Sequence, residues 1–208
     1  MKHIALKDVF AEGNYSLQDK KDLLRKNILA NRKKLQPNDI LKASESLCEM
    51  TMLLSEIDSA KTVALYASRS TEPSTNLLLK VLSIRKKTIL LPVLADLQSR
   101  NWARFVTLDD LQERHAGRPP EPSSPILGED AIKDADLVIV PGLAADFRGH
   151  RLGHGGGWYD RVLLKKREDA KVFALLYDVE VYFDEEIPVE EHDKFVNGIV
   201  TEKQIIRV

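Results

Sequence analysis

Between residues 17 and 35 the apolar positions recur at helical spacing. Leu24, Ile28 and Leu35 fall on one side, four and seven residues apart, with charged residues in the gaps. Pro37, Asn38 and Asp39 interrupt that run and open a second helix, expected to reach about Leu54 with Ile40, Leu47 and Leu54 as its stripe. Then the texture changes. Residues 62–66, 88–92, 135–141 and 171–177 are short, nearly continuous apolar runs, each read as a strand, those at 62–66 and 171–177 as buried ones. Residues 102–106 suggest a more exposed strand and 198–201 a last short one. Ser74 and Thr75 read as the cap of a helix over 76–82, and another helix is expected from near Gly157 to about Glu168. Residues 115–128, dense in proline, are expected to form a loop. Residues 1–16 show no period and are read as a loosely ordered lead-in, with 17–208 as a single domain. Strands alternating with helices predict an α/β fold: an open, mainly parallel sheet flanked by helices, preceded by an N-terminal helical pair.

Composition narrows the function without naming it. A chain of 208 residues can bury a sizeable core. Its net charge of -1 gives no global basic field, which argues against nucleic acid as the main partner. The one cysteine, Cys48, has no internal partner for a disulfide and points to a reducing compartment. No apolar run approaches the ~20 residues of a membrane span, and the N-terminus lacks a secretory apolar core. The expectation is a soluble cytoplasmic protein, taken as a monomer, acting on small molecules.

The candidate chemistry lies in residues 149–157, which hold five of the ten glycines beside Arg148 and Arg151, with Arg161 just beyond. This segment follows the strand ending at Pro141, and open α/β sheets take their ligands at the C-terminal ends of strands. Glycines let backbone amides point into one concavity, and a following helix start and the arginines add positive charge. That suits phosphate, although flexible surface loops share the composition. Neither common phosphate motif fits. No lysine follows the glycines as G-x-x-x-x-G-K-[ST] requires, and Trp158 stands where G-x-G-x-x-G needs its third glycine. Bulky Trp158 and Tyr159 directly after the run argue against mere flexibility.

Residues 141–161, PGLAADFRGHRLGHGGGWYDR, resemble the signature of the 5-formyltetrahydrofolate cyclo-ligase family, P-G-x-A-F-D-x-x-G-x-R-L-G-x-G-x-G-Y-Y-D-R. Other segments resemble the family's in the same order: Lys21-x-x-x-Arg25 with Arg32, YASRSTEPST at 66–75 against Y-x-x-x-x-x-E-x-x-T, residues 117–122 against G-x-x-x-E-P, and PVEEHDKFVNGIVTE at 188–202. Ala145 replaces the usual phenylalanine, His154 and Trp158 stand where tyrosine is common, and a glutamine usual before the last segment is not evident.

The resemblance implies ATP-dependent conversion of 5-formyltetrahydrofolate to 5,10-methenyltetrahydrofolate, with ATP and Mg²⁺ as cofactors. It assigns the phosphates to Lys21, Arg25, Arg148, Gly149, Arg151, Gly153, Gly155, Gly156, Gly157 and Asp160, and Mg²⁺ to Asp160 and Asp193. Folate falls to Glu72, Trp102, Trp158 and Tyr159, with Arg151 and Tyr159 nearest the chemistry. Read without the family, several of these have plainer roles. Lys21, Arg25 and Arg32 share one helix face within roughly 40°, and such faces are usually solvated. Glu72 could be a loop charge, Trp102 edge packing, and Asp193 one acid among Glu190 and Glu191. An ATP-dependent kinase or ligase for another heterocycle, or a folate- or nucleotide-binding protein without turnover, stay open as alternatives.

Overall fold

The computed structural model describes residues 1–11, 13–94, 99–114 and 117–208. Its centre is an eight-stranded sheet of β1 (Thr62–Ala64), β2 (Thr88–Val93), β3 (Asn101–Arg104), β4 (Ile126–Gly128), β5 (Leu137–Pro141), β6 (Lys171–Leu175), β7 (Gly198–Val200) and β8 (Ile205–Arg207). The order across the sheet is β8-β7-β6-β5-β1-β2-β3-β4. The five central strands are parallel, and β8, β3 and β4 add antiparallel edges. This is the open, mainly parallel sheet the hydropathy pattern predicts.

The pattern is legible because the central strands are buried on both faces. Val63, Ile89, Leu137, Ile139 and Phe173 pack with residues of α3 (Pro37–Met52), α4 (Ser55–Ser59) and α5 (Asn76–Ile84). Their neighbours in sequence, Ala64, Leu90, Val138, Val140 and Val172, pack on the opposite face with Val162 of α6 (Trp158–Val162). Side chains that alternate between two dry faces leave no polar position in the run.

Several elements differ from expectation: within the stretch expected as a loop, Ile126–Gly128 forms the edge strand β4. The β3 strand is not the more exposed one, since Trp102 is fully buried. The helix after the glycines is a single turn, α6, continued by a short 3₁₀ segment at Leu163–Lys165. Thr75 does stand before α5, but its hydroxyl donates to the Tyr66 carbonyl at 2.7 Å instead of capping the helix.

Ahead of α2 (Leu17–Arg32), the short α1 (Leu6–Val9) has both first amides bound by Glu185, and Leu6 packs with Leu24 and Ile28 of α2. Ser16 and Asp19 cap α2 reciprocally. Its far end is fixed by Arg32, which grips both Glu180 carboxylate oxygens at 2.7 Å and the Gly142 carbonyl at 2.7 Å in a fully buried setting. Arg32 is thus a structural clamp that docks the helix beside the end of β5.

The β1→β2 and β5→β6 crossovers depart in opposite directions from the adjacent pair β1 and β5. Their C-terminal ends therefore diverge into a crevice, the usual place for a ligand in an open α/β sheet.

Candidate active site

That crevice is a cavity of ≈ 290 Å³ whose walls come from distant stretches of chain. The loop after β1 contributes Tyr66, Arg69 and Glu72, α2 contributes Lys21 and Arg25, the segment after β5 contributes 151–160, and the loop before β7 contributes Glu190, His192 and Asp193. Pro92, Leu94, Pro119 and Pro120 supply an apolar side.

The loop after β1 is locked by its own hydrogen bonds. The Ser68 and Thr75 side chains each accept from the other residue's amide at 3.1 Å, and the Tyr66 hydroxyl donates to the Pro73 carbonyl. Glu72 is buried at the cavity wall, where its Oε2 accepts the Arg69 amide at 2.8 Å. His154 Nε2 stands 3.0 Å from the other oxygen. Burial pushes the Glu72 carboxyl up, but His154 and the Arg69 amide outweigh it and hold the group below its usual value. A carboxylate fixed in this way accepts paired N–H donors and offers no proton.

The cations of the glycine end are all engaged. Lys21 is buried and donates to Glu190 at 2.6 Å and Asp193 at 2.5 Å. Arg25 donates through Nε to the Gly153 carbonyl at 2.9 Å and pairs with Asp22 at 2.6 Å. Arg151 runs under the loop, donating to the Pro141 carbonyl at 3.1 Å and to Asp160 at 3.0 Å. Gly155 has φ +96°, a conformation that favours glycine, and faces the Arg25 guanidinium. Because α6 has only five residues, side-chain charge and loop amides, not a helix dipole, are what this end offers an anion.

Asp160 Oδ1 also accepts the Lys194 amide at 3.2 Å, which joins it to the segment carrying Asp193. Burial pushes the Asp193 carboxyl up, but Lys21, the Glu190 amide and His192 bring it below the usual range. Glu190, His192 and Asp193 offer ligand atoms within 4.8 Å of one another. Asp160 is not part of that group, and Glu190 and Asp193 are its oxygen donors, the kind a hard divalent cation selects.

Trp158 and Tyr159 line the cavity with rings at 4.8 Å. Burial, with the Glu72 charge, pushes the Tyr159 hydroxyl well above its usual value against the pull of Arg151 and Arg69. It therefore remains protonated and is free to donate only to a group that the cavity would receive.

Three residues assigned to ligands lie elsewhere. Trp102 packs behind Trp158 with ring centres 5.2 Å apart, and does not reach the cavity. Arg148 and Gly149 sit at the turn of a hairpin between Ala144–Asp146 and Arg151–Leu152, away from the cavity lining. Asp146 organises that turn by accepting the Arg148 and His150 amides, and Arg148 extends outward to Glu186 at 2.8 Å. Gly149 has φ +84° and a Cβ there would come within 2.6 Å of the Val196 carbonyl, so it serves the turn. Arg69 and Glu190 were not singled out from sequence. Glu190 becomes visible only when the fold brings it to Lys21, and Arg69 occupies an unspecified position of the family pattern.

Comparison with known proteins decides the family. The profile of the 5-formyltetrahydrofolate cyclo-ligase family matches residues 17–202. The chain belongs to this family. A 5-formyltetrahydrofolate cyclo-ligase of Mycolicibacterium smegmatis is 35% identical over 156 residues, covering 70% of this chain and 76% of the relative. A probable 5-formyltetrahydrofolate cyclo-ligase of Schizosaccharomyces pombe is 28% identical, covering 90% and 98%. Among solved structures, the 5,10-methenyltetrahydrofolate synthetase of Aquifex aeolicus is similar with a TM-score of 0.75 and 29% identity, covering 90% of this chain and 92% of that one. The cavity thus belongs to a family fold, and its Glu72, Lys21, Arg25, Arg151, Tyr159, Asp160 and Asp193 gather from four separate segments. Among the described residues, no helix is long and apolar enough to cross a membrane.

Proposed function

We propose that the chain catalyses ATP-dependent closure of 5-formyltetrahydrofolate to 5,10-methenyltetrahydrofolate, releasing ADP and phosphate. The observation that carries the reading is one cavity with a cationic glycine-rich end and a carboxylate-and-aromatic end. The first suits a polyphosphate and the second a flat heterocycle with N–H donors.

A formamide carbonyl is a poor electrophile because its nitrogen donates into it. Transfer of the γ-phosphoryl group to the formyl oxygen creates a leaving group. The N10 nitrogen then forms a bond to the formyl carbon, the carbon–oxygen bond breaks with departure of phosphate, and the N10 hydrogen leaves as a proton. The protein's task is positioning and neutralisation, which is where phosphoryl transfer gains most. Lys21, Arg25, Arg151 and the loop at 153–157 would hold the phosphates. Asp160 and Asp193 would hold Mg²⁺, which supplies further neutralisation of phosphate charge. Glu72 would take the donor edge of the heterocycle, while Trp158 and Tyr159 pack its face and the Tyr159 hydroxyl donates.

Mixing the protein with MgATP and 5-formyltetrahydrofolate tests this. Growth of the near-ultraviolet absorbance of the methenyl product, with one ADP per turnover, is expected. ADP release that responds to other heterocycles but not to this folate would assign the scaffold to a different substrate. Tight binding of folate without ADP release would make it a binding protein.

A further inference from the structure

The cavity holds one more cation that the reaction described above leaves unused. Arg69 lines it three residues before Glu72. Its backbone is fixed on both sides, since its amide donates to Glu72 Oε2 at 2.8 Å and its carbonyl accepts the Glu72 amide at 3.0 Å. Its guanidinium, in contrast, has no acid partner among the described residues, and its Nε is buried without a hydrogen bond. Lys21, Arg25 and Arg151 in the same cavity all have carboxylate partners.

A buried donor left unsatisfied costs about 1–3 kcal/mol, and arginine cannot shed its charge to escape. Such a group at a cavity wall is a donor waiting for an acceptor. Its position says which acceptor. It shares a locked turn with Glu72 yet forms no ion pair with it, so a guanidinium and a carboxylate three residues apart line the same cavity. Each Glu72 oxygen retains a lone pair beyond its present contact. The complement of that surface is a ligand edge carrying N–H donors next to an acceptor oxygen. A 2-amino-4-oxopyrimidine edge has that order: two N–H donors followed by the 4-oxo group.

We propose that Arg69 is a specificity-determining residue that donates to the 4-oxo oxygen of the substrate's heterocycle while Glu72 takes its amino and ring N–H groups. The inference rests on the folate reading above. It makes the site a reader of the 4-position: a 4-amino compound presents a donor to a guanidinium that has only donors, and the mismatch leaves both unpaired.

The test compares binding of 5-formyltetrahydrofolate and its 4-amino counterpart by calorimetry in wild type, Arg69→Met and Arg69→Lys, with thermal unfolding as a check on folding. Wild type should favour the 4-oxo compound by at least about 100-fold, reflecting lost pairs at both Arg69 and Glu72. Arg69→Met should narrow that ratio about tenfold or more while the Kd for MgATP stays unchanged, and Arg69→Lys, which keeps the charge but not the fork, should fall between. An unchanged ratio in Arg69→Met would overturn the proposal, as would a loss confined to MgATP binding, which would reassign Arg69 to a phosphate. A defect that vanishes with a substrate lacking the glutamate tail would reassign it to that tail's carboxylate and overturn the proposal too. Failure of wild type to bind 5-formyltetrahydrofolate would sink the folate reading and this inference with it, whereas binding with an unchanged ratio sinks only the inference.

Discussion

Asp193 is where sequence and structure are furthest apart. In the sequence it is one acid in an acidic run, and only the family pattern marks it. In the fold its Oδ2 meets the buried Lys21 ammonium and the Glu190 amide, so it is a paired group and not a repelling one. Asp193→Asn should raise the Mg²⁺ concentration needed for half-maximal turnover and weaken MgADP binding measured by calorimetry, because a neutral amide replaces an anionic oxygen beside a dication. It should also cost about 1–2 kcal/mol in denaturant unfolding, since Glu190 alone then balances Lys21. An unchanged Mg²⁺ titration would return Asp193 to a purely structural role. The same limit applies to other residues. Lys21, Arg25, Glu72, Arg151 and Tyr159, which line one cavity, are marked in the sequence by short patterns. The partners that set their behaviour, such as Glu190 for Lys21 and His154 for Glu72, lie far away in sequence, and spacing carries no trace of them.

At the scale of elements, the long helices and the buried strands were legible because each has a period or an unbroken apolar run. The hairpin of Ala144–Asp146 with Arg151–Leu152 was not: strands of two or three residues have no period to read. Its turn therefore looked like part of the phosphate loop, and Arg148 and Gly149 were assigned to ligand. The structure divides the ten-glycine inventory differently, and two glycines test the division. Gly149→Ala should destabilise the protein by about 2 kcal/mol or more, from the positive φ together with the close Val196 carbonyl. Gly156 has no positive φ and no atom within 4 Å of where a Cβ would stand, so Gly156→Ala should leave unfolding nearly unchanged and report only on ligand approach. Thermal melts and ATP titrations of the two variants separate these roles. Equal stability of both would mean that the hairpin turn tolerates a side chain.

For the whole molecule, an exposed-edge staple gives the clearest dependence on pH. Arg207 of β8 grips both Glu56 oxygens, at 2.6 and 3.0 Å, and ties the sheet's last strand to α4. Those hydrogen bonds, opposed by partial burial, lower the Glu56 carboxyl from 4.5 to about 2. The folded value lies below the unfolded one, so the staple contributes fully above about pH 4.5 and is lost as pH falls towards 2. Arg207→Ala should therefore be less stable than wild type at pH 7, and urea unfolding should show the gap closing over that acid range. A gap independent of pH would mean that the arginine acts through packing alone. The strand order has a different consequence, in time. The crevice opens between β1 and β5, whose pairing joins Val63 to Leu137 across about seventy residues of chain. Parallel pairing over such a span must pay for closing a long loop before any contact rewards it, and is slow for that reason. The helices and the neighbouring β1–β2 unit need no such closure. On refolding, recovery of nucleotide binding should lag the far-ultraviolet signal of the helices, and a chain stalled before that pairing would carry most of its secondary structure but no place for a ligand.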